Sequence, residues 1–536
     1  MLSQIYPENL EDNKIISIFA LKLNDTDMNT MMRQAKRWML TALLAIGGAT
    51  ASAQTFEFPV YVWIDEMPDA GYFLPAPPSI GSVEFIDDLV QFQWGKTQRN
   101  TPRGQQASRE SMWEPEAMRI VIAEALSLDE ISDEKTPALA TLLDKCYYTG
   151  NLSTVGPKDK YMRVRPFVQM NDQLWAEYDD DLLRTNGSYP SGHNAFSWFT
   201  ALAVAEMWPA LQDTILRRGF QFGENRVIAG AHYQSDVTAG YLCAAAAFAR
   251  AHTNPELQED IKAARAEYAR LKGVDVEKNT GDGVDVPHGE NILSAPVDTA
   301  SYRYASDLAL YWAGKELRDT ERGSQAEHEA DYSVEMMCEV FGEATGVLMS
   351  QEKTPNIYAL MSYVLDKSSA TADRLKEIRF RKRPFVQLDE PSFVAGDEEK
   401  ERGKSSFPSG HTNLGWTEAL TMVQVAPEHQ DEILRRGYEY GYNRQIVGYH
   451  WFTDIVATRQ LSSALFARLN ADAKFQELMK KAQKEYQSIA PTGVRSVTRS
   501  DADGQRAVIY TIDGRRIDGM PTRSGIYIQG NKKVLR

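Results

Sequence analysis

Two sets of residues in this chain have the types and spacing needed to hold and transfer a phosphoryl group. The first half carries Lys158, Arg165-Pro166, Pro190-Ser191-Gly192-His193, Arg226, His232 and Asp236. The second half carries Lys376, Arg383-Pro384, Pro408-Ser409-Gly410-His411, Arg444, His450 and Asp454. Lys to Arg is seven positions in both sets, Arg to the later His six, and that His to Asp four. Arginine's planar fork grips paired oxygens, and lysine adds a compact point charge. Ser-Gly at a helix start offers a hydroxyl and open backbone N–H groups, and glycine lets an anion approach closely. Two histidines permit one to attack phosphorus while the other protonates the departing alkoxide. An Asp four residues after the later His can orient its ring, the logic of a catalytic triad with His in the nucleophile's place. Taken singly, Pro-Ser-Gly-His reads as a helix cap and a buried His as a core residue. The chain has only eight histidines, and four fall on these positions. That coincidence favours chemistry.

The elements that must position these residues are themselves repeated. Glu134-Lys135-Thr136-Pro137 recurs 218 positions later as Glu352-Lys353-Thr354-Pro355. The same offset carries Arg165–Gln169 onto Arg383–Gln387, Ile215–Phe220 onto Ile433–Tyr438, and Phe248–Arg250 onto Phe466–Arg468. Upstream, Gly95-Lys96 and Arg103-Gly104 match Gly314-Lys315 and Arg322-Gly323 at an offset of 219. A tandem duplication of a unit of about 200 residues follows, an ordinary size for one domain. Segments such as Ala195–Met207 and Asp236–Arg250 are apolar nearly all round, as helices buried in a bundle are. The predicted fold is all-α: two tandem helical bundles at 54–272 and 291–490, a Gly- and Asp-rich linker at 273–290, and a β-rich tail at 491–536. The tail's short alternating runs around glycines read as strands.

This constellation resembles the type 2 phosphatidic acid phosphatase (PAP2) superfamily, which also contains the vanadium haloperoxidases. Both copies fit its three-part signature in order. The flanks NGSYPSGH (186–193) and LRRGYEYGYNRQIVGYHW (434–451), with LPAPPSIGSVEFIDDL and RNTPRG upstream, are similar to the bacterial class A non-specific acid phosphatases. The resemblance implies His232 and His450 as nucleophiles forming a phosphohistidine, His193 and His411 as general acids, and Asp236 and Asp454 as orienting groups. It implies phosphate binding by Lys158, Arg165, Ser191, Gly192 and Arg226, and by Lys376, Arg383, Ser409, Gly410 and Arg444. Small phosphomonoesters are the implied substrates. No metal or other cofactor is implied, and vanadate is expected as an inhibitor. The alternatives are a haloperoxidase holding vanadate on the same histidines, or a phosphatase in which one copy has lost turnover. Both copies depart from the signature where Asn225 and Asn443 replace the usual Ser, a change that bears on substrate preference. The pocket rim is expected at Tyr233-Gln234-Ser235 and Trp451-Phe452-Thr453, where the copies differ. An acidic optimum is expected, because the acid histidine must be protonated and imidazole titrates at about 6.5.

A net charge of −15 argues against a nucleic-acid or anionic-membrane partner, which needs a basic surface. Cys146, Cys243 and Cys338 have no metal-ligand spacing and read as three buried small residues. Within residues 1–53, Arg33, Lys36 and Arg37 precede a short apolar run and Ala51-Ser52-Ala53, the pattern of a secretory signal peptide. Residues 1–27 are polar, which places the expected translation start at Met28, Met31 or Met32. Export is therefore expected, to the periplasm by the resemblance. The tail resembles the C-terminal sorting module of proteins exported by the Bacteroidetes type IX system, which leaves cell-surface delivery or secretion as alternatives. No second apolar run is long enough to span a membrane. The two repeats are also candidates for an internal pseudo-dimer.

Overall fold

Side-chain caps start helices in both copies. Ser82, Thr101, Ser191 and Asn254 each accept a first-turn N–H, as do Thr320, Ser333 and Ser409 in the second copy. The computed structural model describes residues 59–176, 181–276, 285–394, 396 and 398–489, with four short strands between 509 and 535. The predicted signal peptide and start site lie outside the described residues, as do most of the tail and part of the linker.

The first copy runs through α1 (Ala70–Phe73), α2 (Val83–Gln98), α3 (Pro102–Arg109), α4 (Pro115–Ala125), α5 (Pro137–Leu152), α6 (Val155–Tyr161), α7 (Pro166–Gln169), α8 (Asp181–Arg184), α9 (Gly192–Met207), α10 (Gln212–Ala229), α11 (Gln234–Ala251) and α12 (Pro255–Lys272). The second repeats the order as α13 (Gly289–Ile292), α14 (Tyr302–Glu316), α15 (Glu321–His328), α16 (Val334–Thr345), α17 (Pro355–Ile378), α18 (Pro384–Gln387), α19 (Glu398–Arg402), α20 (Gly410–Val425), α21 (Gln430–Ile446), α22 (Phe452–Asn470) and α23 (Ala473–Ile489). The all-α expectation holds. One difference has a local cause. The single helix α17 corresponds to the pair α5 and α6, and Pro157, which lacks a backbone N–H, sits just beyond their break where the second copy has Leu375. The tail strands β1 (Ile509–Thr511), β2 (Arg516–Ile517), β3 (Ile526–Gln529) and β4 (Lys532–Leu535) form one sheet in the order β2-β1-β3-β4, with β1 antiparallel to β2 and β3.

Helix α9 is the spine of the first copy: every residue from Gly192 to Met207 is buried, against α5, α10 and α11. Helix α20 plays the same part in the second, against α17, α21 and α22. The apolar core is continuous through both copies. Helix α9 packs on α22, α11 packs on α20, and α2 meets its own counterpart α14. Phe248 faces its equivalent Phe466 at 6.1 Å between ring centroids, which marks a local two-fold axis. The short N-terminal turns are exchanged across that axis. Asp69 N donates to Asp431 Oδ1 at 2.8 Å, and its equivalent His288 N donates to Asp213 Oδ1 at 3.1 Å. Gln430 reaches the Glu66 carbonyl at 3.1 Å, and Gln212 reaches that of Asp285 at 2.8 Å. All three cysteines are buried and free, and no helix among the described residues is long and apolar enough to cross a membrane.

One core position is costly. Glu418 on α20 is fully buried, and among the described residues neither carboxyl oxygen has a hydrogen-bond partner. The first copy has Thr200 there, bonded to the Phe196 carbonyl at 2.8 Å. Burial pushes the Glu418 carboxyl well up. The folded state therefore favours the protonated form, and stability is full below the unfolded value of about 4.3 and declines as pH rises above it. Glu418→Met is expected to stabilise the protein by about 1–3 kcal/mol, and by more at pH 8 than at pH 5, in urea unfolding. A gain that shrinks as pH rises would contradict this account.

Candidate active site

The motif residues of each copy meet where three helix ends converge. Helix α10 ends at Gly230, whose φ of +77° is a left-handed conformation suited to glycine. The reversal lets Ala231 N and His232 N both donate to the Arg226 carbonyl, at 3.0 and 3.2 Å. The imidazole is thereby tied to the backbone of a phosphate-binding candidate. Gly448, at φ +79°, repeats the device for Tyr449 and His450 on the Arg444 carbonyl. Ser191 and Ser409 cap α9 and α20, accepting from Asn194 N and Thr412 N. This places His193 and His411 in the first turns of those helices.

In the first copy, Arg165 Nη1 lies 2.9 Å from His232 Nε2 and 3.0 Å from the Ala231 carbonyl, to which it donates. A guanidinium has only donors, so Nε2 is the unprotonated nitrogen and its proton sits on Nδ1, 3.6 Å from Asp236 Oδ2. Lys158 Nζ donates to the Gly187 carbonyl at 3.0 Å. Arg226 is buried, and its Nε and Nη1 have no hydrogen-bond partner among the described residues. His193 Nε2 is fixed by the Ser111 carbonyl at 3.4 Å, its ring lies 4.7 Å from Trp113, and its Nδ1 is left without a partner. Two imidazoles and three cations thus border one position, with unpaired nitrogens on Arg226 and at His193 Nδ1.

The second copy repeats the plan with local changes. Arg383 Nη1 lies 3.1 Å from His450 Nε2, and His411 Nε2 is held by the Ala330 carbonyl at 2.9 Å. Tyr332 replaces Trp113, its ring 5.0 Å from that of His411. Arg444 has the same two unsatisfied nitrogens as Arg226. Asp454 engages His450 indirectly: His450 Nδ1 bonds the Ser406 carbonyl, and Ser406 Oγ donates to Asp454 Oδ2. A carbonyl can only accept, so the tautomer is the same as in the first copy.

Several residues that frame the sites escape a motif reading. Arg163 bridges Asp236 at 2.6 Å and Asp88 at 2.7 Å, and Asp88 also binds Ser235. Arg381 likewise bridges Asp454 and Asp307, with Thr453 on Asp307. The signal was present in the repeat itself, since Arg163 matches Arg381 and Asp88 matches Asp307. Ser235 and Thr453 therefore serve these networks, and Tyr233 and Trp451 are buried N-cap residues stacked near Arg163 and Arg381. The expected rim is largely core, because the turn after each His points its side chains inward. Asn225 and Asn443 donate to Glu110 at 2.7 Å and Glu329 at 2.6 Å, carboxylates also held by Arg218 and Arg436. Their replacement of Ser extends a buried ionic network.

Electrostatics set the resting state. Burial and then the Arg226 charge press His193 well below the usual imidazole range, and burial and Arg165 do the same to His232. His411 is lowered by burial and Arg444, and His450 by burial and Arg383. Two carboxylates share each bridging guanidinium, so one of each pair titrates late. Burial pushes Asp88 up to about 6 in the first copy, and Asp454 up to about 6 in the second. Burial also opposes the Asp236 charge, but Arg163 and His232 outweigh it and hold that carboxyl below the usual range. Among the described residues no group of three or more His, Cys, Asp or Glu is placed to hold a metal ion.

Sequence comparisons agree with this architecture. The family model of the PAP2 superfamily matches residues 138–257 and 357–473, one region in each copy. A non-specific acid phosphatase of Providencia stuartii is 40% identical over 205 residues, covering 38% of this chain and 82% of that protein. One from Salmonella typhi is 32% identical over 231 residues, covering 43% and 90%. An acid phosphatase of Zymomonas mobilis is 32% identical over 193 residues, covering 36% and 73%.

Proposed function

This chain belongs to the PAP2 superfamily, and from that premise we propose that it is an exported acid phosphatase hydrolysing small phosphomonoesters through a phosphohistidine in each copy. The observation that carries the reading is the pair of unsatisfied buried nitrogens on Arg226 and on Arg444, each belonging to a cluster with an imidazole whose Nε2 is unprotonated. Burial and the neighbouring Arg165 act against the Arg226 charge, and a phosphate is the partner that would offset both.

Lys158, Arg165 and Arg226, with the Ser191-Gly192 turn, hold the phosphate oxygens; Lys376, Arg383, Arg444 and Ser409-Gly410 do so in the second copy. The Nε2 lone pair of His232 or His450 attacks phosphorus while the ester P–O bond breaks. His193 or His411 gives its proton to the leaving oxygen, releasing the alcohol. The same imidazole, now a base, takes a proton from water as that water attacks the phosphohistidine, and phosphate and free His are restored. Asp236 stabilises the imidazolium directly, and Asp454 acts through Ser406. The transition-state charge is met by side-chain cations, and the scheme uses no metal ion.

Rapid quenching with labelled p-nitrophenyl phosphate is expected to trap acid-labile phosphohistidine at both positions. Label on any other residue type would refute the scheme. The depressed His193 and His411 make a further expectation. A bound phosphate offsets the cations that depress them, so binding raises their pKa and draws in a proton. Calorimetric titration with phosphate in buffers of different ionisation enthalpy should show net proton uptake between about pH 5 and 7. kcat/KM should fall as pH rises. Proton release on binding would contradict the assignment of the acids.

A further inference from the structure

We propose that Trp113 is a specificity-determining residue of the first site, a stacking platform that favours phosphomonoesters whose departing alcohol is aromatic. Three rings surround His193 among the described residues: Trp113 at 4.7 Å between centroids, Phe196 at 5.2 Å and Phe222 at 6.2 Å. Phe196 and Phe222 are fully buried, whereas Trp113 is only partly so. Of the three, the indole is the ring with surface left for a ligand. It stands in the loop between α3 and α4, the same loop whose Ser111 carbonyl fixes His193 Nε2 at 3.4 Å. Its edge covers the phosphate-binding turn: a Cβ on Gly192 would lie 2.5 Å from Trp113 Cη2 and 3.2 Å from Cζ3. The departing alcohol is attached to the oxygen that His193 protonates, so it leaves within reach of this ring. An aromatic alcohol gains a ring-on-ring contact there that a saturated one of equal size lacks.

The second copy builds this wall differently. Tyr332, Leu414 and Tyr440 stand where the first copy has Trp113, Phe196 and Phe222. Tyr332 and Tyr440 lie 5.0 and 5.7 Å from the His411 ring. Both are held by their hydroxyls: Tyr332 Oη lies 3.1 Å from Ser369 Oγ on α17, and Tyr440 Oη donates to the Asp331 carbonyl at 2.8 Å. A Cβ on Gly410 would lie 3.9 Å from Tyr332 Cε2, so the phenol stands back from the turn that the indole edge touches. One aromatic ring fewer and two tethered hydroxyls give the second site the weaker preference for an aromatic alcohol.

The inference rests on the reading of His193 as the acid that releases the alcohol. It is tested in a His450→Ala chain, where turnover belongs to the first site, with phenyl phosphate and cyclohexyl phosphate as the pair. Trp113→Ala is expected to lower the phenyl-to-cyclohexyl ratio of kcat/KM about tenfold, mainly through KM. Trp113→Phe should restore most of the ratio and Trp113→Leu little of it. Inorganic phosphate, which carries no alcohol, should inhibit the Trp113→Ala chain as it inhibits its parent. A ratio that moves less than twofold, an equal restoration by Leu and Phe, or a matching loss of phosphate affinity would overturn the proposal. Calorimetric titration with benzylphosphonate, which is not hydrolysed, reads the same contact without turnover, and Trp113→Ala should weaken it about tenfold at one of the two sites in the otherwise unaltered chain. Failure of the hydrolase reading shows differently, as turnover insensitive to both His232→Ala and His450→Ala.

Discussion

A chain carrying Ala at both His232 and His450 is expected to lose at least about ten-thousand-fold in turnover of p-nitrophenyl phosphate, the scale seen when a nucleophile is removed from a working constellation. Each single variant keeps the other site. The cavities left are small and the helices flanking each His are held by their own caps, so the folded state should persist by circular dichroism. A double variant retaining more than about a hundredth of the activity would remove His232 and His450 from the mechanism.

Arg163→Met is expected to cost about 3–5 kcal/mol of stability, because it strands two carboxylates in a dry interior. Asp88 is 1% exposed and Asp236 fully buried, and both have Arg163 as their shared cation. The same change should lower kcat more than it alters KM. Asp236 would lose the bond that fixes the face it turns to His232, whereas the phosphate-holding cations would stay in place. Arg163→Lys should recover part of the stability but little of kcat, since an ammonium cannot span both carboxylates with the geometry of a guanidinium. Guanidinium unfolding with steady-state kinetics on the same samples checks both halves. A loss below about 1 kcal/mol would mean the bridge is not the support described here.

The residues that border the site were legible because the chemistry demands particular types, and duplication displayed each of them at matching intervals. Lys158, Arg165, His193, Arg226 and His232 are side chains whose function follows from their own donors and acceptors. The all-α architecture was legible too, from segments apolar on every face. The supports were less so. Arg163 and Asp88 lie 75 positions apart, and their contact joins the extended segment after α6 to helix α2. Tyr233 and Trp451 stand beside His232 and His450 in sequence, yet the turn that presents those histidines buries their neighbours. The indirect coupling of Asp454 through Ser406 depends on which acceptor His450 Nδ1 faces, a detail that spacing does not encode.

In a dimer of identical chains, any substitution that alters one pocket alters its mate, so the two cannot diverge. Here the Phe248–Phe466 axis and the exchanged N-terminal turns keep the geometry of such a pair within a single reading frame. Mutation can then act on one pocket while the surface joining the halves is preserved. Trp113 against Tyr332, and the direct approach of Asp236 to His232 against the Ser406-mediated link of Asp454 to His450, are the record of that freedom.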